Sequence, residues 1–91
     1  MNIGDQIQLT RAMLGNEIDA FGWVYEEYPD FDDPTKNGVS VIFENGNFDG
    51  FSAWEQMTYL KLVRHNSQYE NYVFQNVNQV TNDYRKNYWA F

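Results

Sequence analysis

The sequence predicts a mainly β domain with one C-terminal helix. Three observations lead there. Short stretches alternate apolar and polar residues through the first two-thirds of the chain, Gly, Asn and Pro separate them, and after Ser67 the apolar spacing changes to three and four. With 91 residues the chain suits a single domain, 1–91, and not two. Seven Phe, seven Tyr and three Trp supply large apolar area per side chain, which so small a core needs.

The first strand is read over residues 3–9, where Ile7 and Leu9 share a face. A polar stretch around Gly15 and Asn16 then reads as a loop. Residues 21–25 form the second strand, with Phe21, Trp23 and Tyr25 on one face and Val24 on the other. Pro29 and Pro34 bracket an acidic stretch expected to leave the sheet, because proline lacks a ladder donor. Residues 39–44 give the clearest strand, with Val39, Val41 and Phe43 on one face. They run into Asn45-Gly46, a pair suited to a type I′ hairpin turn, and residues 47–51 return. Ser52 and Glu55 match a capping box that opens a short helical turn through Trp54 and Met57. Residues 59–64 resume a strand with Leu60 and Leu62 inward.

Ser67 and Glu70 form a second capping-box pair. Beyond it Tyr69, Tyr72, Val73, Val77, Val80 and Tyr84 fall in a stripe roughly 140° wide at about 100° per residue. That spacing predicts a helix over 67–88, with Arg85 and Lys86 near its end, where cations complement the dipole. A strand through Tyr72, Val73 and Phe74 is the alternative; Phe74 and Trp89 lie off the stripe. The helix would dock on the strands, or its Val73, Val77, Val80 and Tyr84 would form the seam of a homodimer.

The order strand, long loop, strand, hairpin, helical turn, strand resembles the small SH3-like barrels of the Tudor and KOW type. The likeness is carried by Ile3-Gly4-Asp5-Gln6-Ile7, by Gly22-Trp23-Val24-Tyr25, and by Val39 to Gly46 leading into Phe51-Ser52. It implies a five-stranded barrel over 1–64 with an amphipathic helix over 67–88 packed on it. It also implies a cation cage, since Tudor-like domains hold methylated Lys or Arg between aromatic faces beside an acid. Tyr25, Tyr28, Phe31, Phe43 and Phe48, with Asp30 or Asp49, would supply one; the competing reading makes these rings core.

Charge is divided unevenly. Residues 1–55 carry eleven acids against Arg11 and Lys36, net −9, whereas 56–91 carry Glu70 and Asp83 against Lys61, Arg64, Arg85 and Lys86, net +2. The overall −7 argues against direct nucleic-acid binding, which needs cations to displace phosphate counterions. Without cysteine there is no disulfide, thiolate chemistry or Cys-ligated zinc. No apolar run exceeds four residues and no leader pattern is present, so neither a membrane span nor secretion is expected, and the compartment is read as cytoplasmic.

The densest feature is Glu26-Glu27-Tyr28-Pro29-Asp30-Phe31-Asp32-Asp33-Pro34. It reads as a solvated loop, or as an acidic surface that draws in a basic partner. Calcium is the third reading, against which stands the missing twelve-residue EF-hand spacing. His65 has no second His to share a metal and no nucleophile-elbow sequence to serve, so it reads as a surface His at a strand–helix junction. Phosphate-cradling Gly-rich loops are absent. The expectation is a non-enzymatic binding module with no cofactor and no metal site. It would engage a basic protein or peptide through Glu26, Glu27, Tyr28, Asp30, Phe31, Asp32, Asp33 and Asp49. Two alternatives stand beside it: an acidic, phage-type nucleic-acid mimic that occupies a DNA-binding protein, and an assembly subunit that self-associates through the C-terminal helix.

Overall fold

Alternating apolar positions produce five strands in a computed structural model, which describes residues 1–83. They are β1 (Asp5–Leu9), β2 (Phe21–Pro29), β3 (Asn37–Phe43), β4 (Phe48–Phe51) and β5 (Leu60–His65). All pairings are antiparallel, in the order β4-β3-β2-β1-β5. The chain meanders from β1 to β4, and the helix α1 (Ala53–Tyr59) then carries it to the far edge, where β5 pairs with β1. Among the described residues β4 and β5 remain the two edges, so the sheet is not closed. After β5 come a 3₁₀ turn at Ser67–Tyr69 and a second helix, α2 (Val77–Asp83).

Each face of the sheet is covered. One carries Ile7, Leu9, Val24, Val39, Val41, Phe43, Phe51 and Leu60, all buried, with Phe43 and Phe51 edge to face at 6.0 Å. Burying one such side chain stabilises the fold by about 1.5–3 kcal/mol. The other face carries Trp23, Tyr25 and Ile42 and is covered by Val80 of α2 together with Tyr72 and Phe74. The faces expected for Phe21, Trp23, Tyr25, Val24, Val39, Val41 and Phe43 all hold.

Four expectations need correction. Glu26, Glu27 and Tyr28 do not belong to a loop: β2 continues through them, opposite Ser40, Val39 and Gly38. A bulge makes this tolerable, because Tyr25 is skipped in the pairing and both Tyr25 and Glu26 stay on the Trp23 side. Plain alternation would have sent the Glu26 carboxylate into the aliphatic face. Pro29 pairs last, opposite Asn37, where a missing donor interrupts no further ladder.

The β3–β4 turn is not type I′, since Gly46 has φ 88° while Asn45 does not share the positive region. Gly46 N–H donates to Phe43 O and Phe43 N–H to Asn47 O, both at 2.8 Å, closing a three-residue loop with one left-handed glycine. Leu62 is 52% exposed although Leu60 is buried, because β5 is an edge strand with a register shift opposite Gln6 and Ile7.

The helix expected over 67–88 is interrupted. Asn66, not Ser67, caps the 3₁₀ turn by accepting from Gln68 N–H, and Glu70 turns to His65 instead of completing a box. Residues 70–76 are neither helix nor strand, so the alternative strand through 72–74 is absent too. Tyr72 and Phe74 both reach the sheet while Val73 stays 67% exposed, a spacing of two that no helix supplies. Tyr84, Trp89 and the remainder of that expected helix lie outside the described residues.

Candidate binding surface

Of the eight residues expected to form one acidic surface, Glu26, Tyr28 and Asp49 lie near one another on β2 and β4, and Asp30, Asp32 and Asp33 line one cleft at the β2–β3 loop. Glu26 accepts from Ser40 Oγ at 2.8 Å, and Glu27 accepts from Ile3 N–H at 3.0 Å and Asn37 Nδ2 at 2.7 Å. Tyr28 lies across the glycines of β3 and β4, with its hydroxyl donating to Val39 O at 3.2 Å. A Cβ on Gly38 would stand 2.3 Å from the Tyr28 ring and one on Gly50 2.8 Å from its hydroxyl, so both positions are side-chain-free for that ring. Burial raises the Tyr28 pKa, and the nearby charges of Glu26, Glu55 and Asp49 add to the shift. Asp49 accepts from its neighbour Gly50 N–H.

Asp30 is buried at 4% exposure and holds the architecture together. One carboxylate oxygen accepts from Ala53 N–H at 2.9 Å and the other from Asp33 N–H at 3.0 Å, tying the β2–β3 loop to the start of α1. Asp33 accepts from Thr35 Oγ1 at 2.6 Å and from Thr35 N–H at 3.1 Å, and these bonds hold its pKa below the ordinary range. Phe31, at 96% exposure, and Asp32 remain solvent-facing at the loop tip.

What Asp30 joins is a groove along α1. A cleft of about 250 Å³ is lined by Asp30, Asp32, Asp33, Lys36, Ser52, Ala53, Trp54 and Met57. It adjoins a second of about 340 Å³, lined by Met1, Lys36, Asn37, Ala53, Gln56, Met57 and Leu60. Trp54 is 64% exposed and Met57 78%. The helix between them is rigidly held. Its capping box is complete, with Ser52 Oγ accepting from Glu55 N–H and Glu55 Oε1 from Ser52 N–H. The buried Gln56 amide donates to Asn37 O at 2.8 Å and Phe51 O at 3.3 Å.

Sequence reasoning placed Trp54 and Met57 on the helical turn but missed them as surface residues. Their spacing of three, set against the inward Gln56, is the signal that they share an outward face. The five rings considered for a cation cage do not converge: Phe43 is in the aliphatic core, and Tyr25 packs against Phe74 at 5.1 Å. Among the described residues no three His, Cys, Asp or Glu side chains gather as a metal site.

His65 sits between two acids. Its Nδ1 lies 2.6 Å from Asp5 Oδ1 and its Nε2 3.1 Å from Glu70 Oε2. Bonds to Glu70 and to Asp5 push its pKa up, since the imidazolium donates to both at once. This links β1, the end of β5 and the segment that covers the Trp23 face.

Compared with protein-family models, with characterised proteins and with solved structures, the chain matches none. Among the described residues no helix is long and apolar enough to cross a membrane.

Proposed function

We propose that the protein is a non-enzymatic binding module that engages a basic protein partner through the β2–β3 loop and α1. One observation carries the reading: Phe31, Trp54 and Met57 are held exposed on a fixed helix and its adjoining loop, beside Asp32 and Asp33. Exposed apolar area bordered by charge is the signature of a contact surface. The uneven charge supports the same reading, because clustered acid raises encounter rates with a basic surface.

The meander with a helix between β4 and β5, and the return of β5 to β1, supports reading the sheet as an SH3-like barrel. A cytoplasmic setting is part of the same proposal. The nucleic-acid mimic draws less support, because Glu27 and Asp30 spend their carboxylates on internal bonds and do not extend a row of free acids. Affinity capture from an extract of the native host tests the proposal. The wild-type chain is expected to retain basic proteins at low salt and release them at high salt, and Asp32→Lys with Asp33→Lys is expected to abolish retention. Retention unchanged in that variant would sink the proposal.

A further inference from the structure

We infer that the groove along α1 accepts a short linear segment carrying one aliphatic side chain and, about three residues away, an Arg or Lys. The inference rests on the binding-module reading and names the partner's chemistry.

The two clefts are halves of one groove, since Lys36, Ala53 and Met57 line both. Its halves differ in character. Toward Leu60 the walls are Met1, Ala53, Met57 and Leu60, with Asn37 and Gln56 as polar members beside the shared Lys36. Toward the loop, Asp32 and Asp33 stand beside Trp54. The seven residues of α1 rise about 10 Å, the reach of about three residues of extended chain. An apolar end and an anionic end are therefore one short motif apart.

The exposed side chains suit such a ligand. Met57 is unbranched and adapts to different aliphatic shapes. The indole of Trp54 offers a face on which a guanidinium stacks while its charge meets Asp32. The motif's direction comes from Asp32 and Asp33, which line only the loop half, whereas Lys36 lines both. The pairing of Lys36 with Asp33, at 3.9 Å between side chains 58% and 44% exposed, is loose enough for a ligand cation to share. Because the capping box, Asp30 and Gln56 already fix α1, little ordering is required on binding.

The test titrates the full chain with three blocked tetrapeptides: Ac-Leu-Ser-Ser-Arg-NH2, the same with Glu for Arg, and the same with Ser for Leu. Nuclear magnetic resonance reads the Trp54 indole N–H and the Met57 methyl. The Leu/Arg peptide is expected to move both signals saturably, and the other two to bind at least about threefold more weakly, the scale of one exposed ion pair or a partly covered side chain. Asp32→Asn with Asp33→Asn, and separately Met57→Ser, should each weaken the Leu/Arg peptide by a similar factor. Asp32 and Met57 are exposed and Asp33 is half-buried, and unchanged amide signals across the five strands verify the fold of each variant. Equal binding of all three peptides, or shifts that map away from α1, would overturn the inference. Should the peptides fail while capture of basic proteins still depends on Asp32 and Asp33, the linear-segment inference falls and the binding-module reading stands. If capture is also indifferent to those acids, both fall.

Discussion

The two faces of the sheet are filled in different ways. The aliphatic face takes its side chains from all five strands, so each packing partner is delivered by the hydrogen-bonded ladder itself. The Trp23 face is roofed by residues beyond β5, and among the described ones only Val80 is fully buried. Among the described residues that roof is held by Val80, the Tyr25–Phe74 contact, the bond from Tyr72 to Asp83 at 2.6 Å and the His65 bridge, among other contacts. A face built from strands opens only when the sheet does, whereas a face covered by one trailing segment can open alone.

The largest effect should come from the aliphatic face. Phe43→Ala removes a fully buried ring and is expected to cost about 3–5 kcal/mol, read as one lowered denaturation transition for the whole domain. Val80→Ala should cost about 1–2 kcal/mol, and hydrogen exchange should show lost protection in the covering segment with the five strands unchanged. Equal loss of protection in strands and cover would erase the distinction between the faces. Ser52→Ala removes the cap of α1 and should cost about 1 kcal/mol, with exchange rising first in Ala53–Tyr59.

The fourth prediction concerns pH. His65 has a raised pKa in the folded protein, facing Asp5 from β1 and Glu70 from the cover. Its bridge is therefore fully effective below the unfolded value of about 6.5 and is lost as pH rises through the higher folded value. Protection of the cover should fall over that interval in the wild type and stay flat in His65→Gln. A fall of the same size in the variant would assign the effect to other groups. The smallest stability change, within about 0.5 kcal/mol, is expected for Met57→Ser, because that side chain lies on neither face.

Much of the strand architecture was legible because alternation reports directly on two covered faces: Trp23 and Val24 declare opposite sides in adjacent positions. The capping box at Ser52 and Glu55 was equally readable, being local and reciprocal. What escaped is long-range. Asp30 looks like any loop acid until Ala53, 23 residues away, brings its N–H to the carboxylate. Leu62 has the composition of a core residue, and only its place on an edge strand exposes it. Tyr72 falls in the helical stripe and Phe74 off it, because the sheet that draws both inward is not visible from their own neighbourhood. The candidate groove was least legible, since Trp54 and Met57 use the same side-chain types as the core.

The bulge at Tyr25 has a consequence for how this chain tolerates insertion and deletion. Deleting Tyr25 would leave Val24 and Glu26 adjacent, opposite the already adjacent Val41 and Ser40, with every other side chain of β2 keeping its present side. The sheet thus carries a one-residue slack at this point, and its pairing does not require the residue. What requires it is Phe74, whose ring rests on Tyr25. A chain shortened there should keep its five strands and loosen its cover, so the length of β2 is set by the segment packed against it and not by the strand beside it.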